Sequence, residues 1–210
     1  MSRPRIDWQL AILLAAALGL RLLAWLIIPY RDFISDEAEY WGAAVWLGQG
    51  RGFAFFDQWV WTRPPAYLLF LAGHVKLFGP SALWAPRLSQ ALLGTLGVWL
   101  LTKIGARLAP AGMERRVGLL AGWALAAGYS FAIFSYVLLS ETFFLTLFLA
   151  AVLFLLRWAA PAGRRRDLAA AALLLGLCAL TRAVVLTWLP LAAFWALAVE
   201  HRRRQSWRPA

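Results

Sequence analysis

Long apolar runs alternate with short polar segments along most of this chain. A helix that crosses the hydrocarbon core of a bilayer needs about 20 predominantly apolar residues. Six runs approach or reach this length, at 8–29, 87–107, 117–135, 139–157, 168–182 and 183–199. The pattern therefore predicts an all-α, polytopic membrane bundle of about six transmembrane helices.

The longest interval between predicted spans, residues 31–86, contains a further apolar stretch at 66–79 that is too short to cross a bilayer. Because prolines precede this stretch and Gly79-Pro80 follows it, we expect an interfacial or re-entrant helix there. The interval is also rich in aromatic side chains, which suit the headgroup level of a membrane. They are Trp41, Trp46, Phe53, Phe55, Phe56, Trp59 and Trp61. We therefore predict short surface helices in this loop and a single module over 1–210.

The composition confirms that the apolar runs belong to a membrane protein. The chain is 62% hydrophobic and has a mean hydropathy of +0.67, which is too apolar for a soluble domain. The first run is too long for the apolar region of a signal peptide and lacks a small-residue cleavage site, so we interpret it as a retained span. The single cysteine, Cys178, excludes an intrachain disulfide.

The basic residues predict which side of the membrane each loop occupies. The chain has a net charge of +11. Its termini and alternate loops together hold 14 Lys and Arg against four acids, whereas the opposite loops hold six of each. Cytoplasmic loops are the ones enriched in Lys and Arg. Both termini are therefore predicted to be cytoplasmic and loop 31–86 external, and nucleic acid is not an expected partner.

The sequence ISDEAEYW, residues 34–41, places three carboxylates directly after the first span. One interpretation is a helix start, in which Ser35 caps the helix and Asp36 and Glu37 favour its positive end. The other is a site for the polar head of a membrane-borne substrate. On a helix Asp36 shares a face with Tyr40 and Glu37 shares one with Trp41, so a carboxylate beside an aromatic ring suits sugar binding and base catalysis.

Arginines near the membrane surface are the second group of candidates. Arg63 precedes Pro64 and Pro65 in TRPPAYLLF, where the prolines alone explain a helix start. Arg63 beside that helix N-terminus also suits an anion such as a leaving phosphate. Arg21 lies within the first span, where it either snorkels to the surface or contacts a lipid phosphate.

Glu141 and Arg182 extend this group on the same predicted side. Glu141 begins the fourth span after a potential Ser140 cap, and Arg182 lies between the last two spans. Ionisable residues at membrane depth are costly, which favours a function for Glu141, and an acid that stabilises a helix start is the alternative. The histidines show no ligand spacing, and no Gly-rich nucleotide loop or metal motif is present. No cofactor is predicted. A divalent cation remains an alternative, because the carboxylate oxygens of Asp36 and Glu141 are hard ligands that such ions prefer.

In their order along the chain, five segments resemble the GT-C class of membrane glycosyltransferases. The resemblance is to the glycosyltransferase family 39-like branch, which groups protein O-mannosyltransferases with aminoarabinose transferases and similar bacterial enzymes. It implies a GT-C-like helical fold, a polyprenyl-phosphate sugar donor and an acceptor site on the outer face. The segments are DEAEYW (36–41), RPPAYLLFLAGHVKLFG (63–79), APRLSQALLGTLGVWLL (85–101), SETFFLTLFLA (140–150) and GLCALTR (176–182).

The resemblance also implies roles for individual residues. Asp36 is the expected general base, assisted by Glu37, and Arg63 is the expected ligand of the donor phosphate. Glu141 is expected as a second acidic residue, and Arg182 and Arg21 as weaker phosphate contacts. The side chains expected to shape the substrate site are Tyr40, Trp41 and Tyr67.

Two further expectations concern the whole protein. Relatives usually carry additional spans, so the chain is expected to correspond to the N-terminal part of a longer architecture. The high Arg and Ala content suggests a GC-rich bacterial genome and therefore a bacterial cytoplasmic membrane. The acceptor, whether glycan, lipid or protein, is undetermined. The alternatives to a transferase are a non-catalytic protein that binds or transports an isoprenoid phospholipid, and a structural membrane subunit.

Overall fold

The computed structural model describes residues 7–28, 33–53 and 63–206, and every regular element in these ranges is helical. The prediction of an all-α membrane bundle is therefore confirmed. The helices are α1 (Trp8–Ile27), α2 (Glu37–Gly48), α3 (Pro65–Phe78), α4 (Trp84–Leu108), α5 (Glu114–Ala127), α6 (Tyr129–Ile133), α7 (Glu141–Ala159), α8 (Arg165–Ala179) and α9 (Leu189–Ser206).

Three helices in the described ranges, α1, α4 and α7, are long and apolar enough to cross a membrane. The centre of the bundle is α4, which packs against α1, α5 and α7, and α7 in turn packs against α8. Buried aliphatic side chains from α1, α4, α5 and α7 form one continuous core, with Leu13, Val98, Leu125 and Leu153 at its centre.

The other predicted spans are divided into shorter elements. The run at 117–135 contains a break at Gly128, where the backbone is extended and α5 gives way to the short α6. The last two runs are separated by the break at 180–182 and a 3₁₀ turn, Ala183–Thr187, that precedes α9. The number of six spans stays a prediction.

The described residues of the interval 31–86 include two helices, α2 and α3, that pack on each other, and their position at the membrane surface stays a prediction. Pro65 occupies the first turn of α3, where its missing N–H costs no hydrogen bond. The α2–α3 interface is a buried cluster that includes Trp41, Tyr67 and Leu71, together with Leu138 from the segment before α7. This cluster attaches both helices to the bundle. The aromatic residues predicted at 55–61 lie outside the described residues.

The end of the bundle where α1 begins carries an ion pair between the cap of α1 and α5. Asp7 caps α1 by accepting a hydrogen bond from the Leu10 amide. Its carboxylate also pairs with Arg115 of α5 at 3.0 Å. The N-terminal ends of α1 and α5 therefore lie at the same end of the bundle, which is the end predicted to be cytoplasmic.

Candidate active site

At the opposite end of the bundle, four separate segments surround a polar pocket of about 370 Å³, which we call the site pocket. The segments are the start of α2, the approach to α3, the start of α7 and the break after α8. Each contributes one charged residue, and these are Asp36, Arg63, Glu141 and Arg182. The structure thus brings together four of the residues that the sequence singled out, from positions almost 150 residues apart.

Arg63 is held by two carboxylates. Its guanidinium contacts Asp36 Oδ2 at 3.0 Å and Glu39 Oε2 at 2.8 Å, and it lies over the Tyr40 ring at 5.4 Å from the centroid. The hydrogen bond that Arg63 donates to Glu39 is the largest of the effects that raise the pKa of Arg63 above its ordinary value. Two negative carboxylates therefore contact the single positive charge of Arg63.

The start of α2 differs from a simple serine-capped helix. Ser35 has a positive φ of 54°, and Asp36 precedes the first helical residue without making a side-chain capping hydrogen bond. The carboxylate of Asp36 is instead directed to Arg63, and its side chain is 44% exposed. The helix-start interpretation thus explains the position of Asp36 along the chain but not the direction of its carboxylate.

Glu37 makes a different set of contacts from its neighbour Asp36. Its side chain is buried, with 2% of the residue exposed. One carboxylate oxygen accepts the Leu138 amide at 2.7 Å and the other accepts the Ile34 amide at 2.9 Å. Glu37 therefore connects the start of α2 to the segment that leads into α7, and it does not line the site pocket.

Glu141 and Arg182 form the second ion pair of the site. Arg182 Nη1 lies 2.6 Å from Glu141 Oε1 and donates to Ser140 Oγ at 3.3 Å. Within the described part of the chain, the buried Glu141 Oε2 has no hydrogen-bond partner. The pair therefore leaves one carboxylate oxygen available to a donor from a ligand.

Arg21 lies beside a second cavity of about 280 Å³, which we call the Arg21 cavity. Its side chain is 2% exposed and donates to Ser135 Oγ at 3.2 Å and to the Ala17 carbonyl at 2.8 Å. The side chain therefore does not snorkel to the membrane surface. Glu141 and Arg182 line this cavity as well as the site pocket, so their ion pair forms a shared wall.

The three aromatic candidates all belong to the buried α2–α3 core. Tyr40 also lines the site pocket. The Tyr67 ring packs edge-on against Tyr40 with centroids 5.1 Å apart. Tyr40 is thus the member of this set that is placed to meet a substrate, and Tyr67 supports it from behind.

Gln90 is a buried polar residue of this region that sequence analysis missed. It accepts a hydrogen bond from the Tyr67 hydroxyl at 2.6 Å and donates to the Val137 carbonyl at 2.8 Å. It thereby connects α3, α4 and the segment before α7. The signal available in the sequence was an amide side chain inside the apolar pattern of α4.

The site does not present a ready set of metal ligands. No group of three or more His, Cys, Asp or Glu residues in 7–28, 33–53 and 63–206 is arranged to hold a metal ion. Asp36 and Glu141 are each engaged by an arginine. The side chains as placed therefore do not fit a divalent ion, and no step below uses one.

The structure is an all-helical bundle with paired carboxylates and arginines in a pocket at one end. The model of the dolichyl-phosphate-mannose-protein mannosyltransferase family matches residues 62–209. The chain belongs to this family, and it is a membrane glycosyltransferase of the GT-C type. No curated protein and no solved structure matches the chain. The family match includes Arg63, Glu141 and Arg182, and it begins after Asp36.

Proposed function

We propose that this protein transfers a sugar from a polyprenyl-phosphate donor to an acceptor hydroxyl at the outer face of a bacterial cytoplasmic membrane. The observation that carries the proposal is the site pocket itself, where an accessible carboxylate and two arginines converge at one end of the bundle. Transfer from a phosphate leaving group requires a base for the acceptor and positive charge for the phosphate.

Asp36 is the proposed general base. In the reaction the acceptor oxygen attacks the anomeric carbon from the face opposite the phosphate, and its proton passes to the Asp36 carboxylate. The bond between the anomeric carbon and the phosphate oxygen breaks, so the configuration inverts and the leaving group departs as polyprenyl phosphate. Asp36 suits this role because its carboxylate is partly exposed in the pocket.

Arg63 and Arg182 are proposed to stabilise charge on the phosphate, with Arg21 as a third cation. Arg63 contacts Asp36 and Glu39 in the absence of substrate. A phosphate that binds Arg63 competes with these carboxylates, and it frees Asp36 from its counter-ion. An Asp36 carboxylate that no longer contacts Arg63 is open to the acceptor hydroxyl. Donor binding is therefore proposed to precede activation of the acceptor.

The remaining candidates receive supporting roles in this proposal. Glu37 positions Asp36 through its two backbone hydrogen bonds. Glu141 offers its unpaired Oε2 to a sugar hydroxyl while Oε1 stays on Arg182. Tyr40 lines the pocket, where its side chain is proposed to contact the sugar.

The test is sugar release from a synthetic polyprenyl-phosphate mannose by the purified chain in detergent or nanodiscs, with Asp36→Asn beside Glu39→Gln. We expect Asp36→Asn to abolish turnover with donor binding intact, and Glu39→Gln to retain turnover. Equal turnover in the wild type and Asp36→Asn would remove Asp36 as the base.

A second candidate function is non-catalytic binding or transport of an isoprenoid phospholipid. It is favoured by the Arg21 cavity, which combines a buried cation with apolar walls and contains no proposed base. A binding or transport protein should be insensitive to Asp36→Asn in lipid-flux and binding assays, whereas a transferase loses turnover.

A further inference from the structure

We infer that a groove between α7, α8 and the start of α9 binds one anionic phospholipid of the bilayer, with an acyl chain in the groove and the headgroup on arginines at its end. The groove, called the α7–α9 groove below, has a volume of about 300 Å³. Its lining includes Phe148, Leu155, Leu175, Trp188, Leu191 and Trp195. It shares no lining residue with the site pocket, so binding there is independent of the proposed function.

The walls of the groove are apolar and open to the surface of the bundle. Every side chain that lines it is aliphatic or aromatic. Trp188 and Leu191 are still 56% and 60% exposed. Apolar spaces of this kind do not hold water and bind apolar ligands. The hydrocarbon chain of a lipid is the apolar ligand that a membrane supplies.

The direction of α9 places the far end of the groove away from the site pocket. α7 begins at the site pocket with Glu141 and runs 19 residues, or about 28 Å. α9 follows Val184, which also lines the site pocket. The ring of Trp195 in α9 lies 6.3 Å from the ring of Trp158, near the end of α7. α9 therefore runs beside α7, away from the site pocket.

α8 runs in the opposite direction and contributes an arginine at the far end. It ends at Ala179, two residues before Thr181, which lines the site pocket. Its first residue, Arg165, therefore lies at the other end of the bundle. Arg164 directly precedes it and is eleven residues from Leu175 of the groove, which is about three turns and 16 Å. Arg164 thus lies in line with the groove on the α8 side.

The α9 side of the groove is a stripe of two tryptophans and an arginine. Trp188, Trp195 and Arg202 follow one another at intervals of seven residues, which is close to two turns, so they share one face of the helix. The stripe is about 21 Å long, and one leaflet with its headgroup layer is about 20–22 Å thick. A phospholipid whose acyl chain ends beside Trp188 therefore places its headgroup at Arg202.

The charge at this end favours an anionic headgroup. Within the described part of the chain, five arginines near the ends of these helices face only two acids, Asp167 and Glu200, and no ion pair joins them to a described carboxylate. They are Arg157, Arg164, Arg165, Arg166 and Arg202. This end is predicted to be cytoplasmic, where bilayers carry anionic lipid that attracts such clusters.

The same charges disfavour the other occupants of an apolar groove. In a symmetric pair of copies that share one membrane, the arginines of the two chains would face each other and repel. The phosphate of the polyprenyl donor is proposed to bind at the site pocket, which lies at the opposite end. A phospholipid of the leaflet at the arginine end meets both the apolar walls and the positive charge.

The experiment titrates the purified full chain in detergent with phospholipid and counts bound lipid by native mass spectrometry. Phosphatidylglycerol is the anionic probe, and phosphatidylcholine with the same acyl chains is the zwitterionic control. We expect Arg164→Gln and Arg202→Gln each to lower the affinity for phosphatidylglycerol about fivefold, the usual contribution of one arginine near a lipid surface. Arg116→Gln, at an exposed arginine of α5, should change it less than about twofold.

A second pair of variants tests the groove itself. Leu191 lines the groove and Leu197 does not, and both are exposed on α9, by 60% and 70%. Leu191→Trp should narrow the groove and weaken binding of both phospholipids, whereas Leu197→Trp should not. Substitutions at exposed positions seldom impair folding, and thermal unfolding of both variants checks this.

Five results would overturn the inference. Equal affinity for phosphatidylglycerol and phosphatidylcholine would exclude a headgroup site. An equal loss in Arg116→Gln would assign binding to the overall charge of this end. Equal binding by Leu191→Trp and Leu197→Trp would place the lipid elsewhere. Tighter binding of polyprenyl phosphate than of phosphatidylglycerol, weakened by Leu191→Trp, would assign the groove to the carrier, and dimers that Leu191→Trp disrupts would assign it to a second copy.

Discussion

Substitution of Glu37 by Gln tests how the chain holds Asp36 at the site pocket. The carboxylate accepts two buried backbone amides, from Ile34 and Leu138, and its residue is 2% exposed. A glutamine keeps one acceptor oxygen and turns an NH2 group towards the other amide. One N–H donor is then left unsatisfied, which costs about 2–3 kcal/mol when the lost partner is charged.

This loss converts to a measurable change in thermal stability. A change of 1 kcal/mol shifts the melting temperature of a chain of this size by about 2–4 °C, so Glu37→Gln should melt about 4–12 °C lower. Hydrogen exchange supplies a local readout, because the Leu138 amide should exchange faster in the variant. The assay is thermal unfolding in detergent, combined with mass-spectrometric exchange of the segment before α7.

Glu39→Gln is the matched control, because it makes the same chemical change two residues away. The Glu39 side chain is 59% exposed and pairs with Arg63 at the surface, and exposed pairs contribute only about 0–1 kcal/mol. If Glu37→Gln melted within a degree or so of Glu39→Gln and left exchange at Leu138 unchanged, the connection between α2 and α7 would not be the one described above.

Three further predictions concern separate parts of the molecule. Asp36→Asn should lower turnover about 10²–10⁴-fold, the usual contribution of a general base, while donor affinity measured by equilibrium binding changes little. Gln90→Leu should destabilise the protein by about 1–3 kcal/mol in thermal or denaturant unfolding, because the buried Tyr67 hydroxyl loses its acceptor. The hydrogen bond from Arg115 lowers the pKa of Asp7, so this pair stabilises the fold above the ordinary pKa of an aspartate. That contribution should disappear as the pH falls through the lowered pKa, and the melting difference between wild type and Asp7→Asn should then vanish.

Each of these predictions has an opposing result. Retained turnover in Asp36→Asn would favour the lipid-binding alternative. Unchanged unfolding of Gln90→Leu would show that the Tyr67 hydroxyl finds another acceptor. A melting difference for Asp7→Asn that persisted in acid would show that the effect does not come from the ion pair with Arg115, and capping would not explain it either, since an asparagine caps about as well as an aspartate.

The apolar runs predicted the helices well because their signal is local. α1, α4 and α7 begin and end within a few residues of the predicted spans. The breaks within the other runs were harder to place, since they depend on short features. Gly128 divides one run through its extended backbone and does not interrupt the hydropathy. The turn at 180–182, by contrast, lies where two predicted runs meet, at the polar residues Thr181 and Arg182.

The candidate residues were found for a similar reason. A carboxylate or arginine near hydrocarbon is costly, so its presence alone indicated a site, and Asp36, Arg63, Glu141 and Arg182 do meet in one pocket. Gln90 and Ser135 were missed because neutral polar residues are common and a single sequence does not show their partners.

The sequence alone was enough to establish the membrane bundle, the order of its helices and the set of charged residues at one end. These follow from hydropathy and from the cost of charge in hydrocarbon, which act at each position independently. The tertiary structure decided the role open to each charge. Glu37 accepts hydrogen bonds from two backbone amides, and Arg63 contacts two carboxylates. Arg21 is buried and lines a cavity. Pairing of this kind depends on which side chains meet across the bundle, and residues distant in the chain determine it.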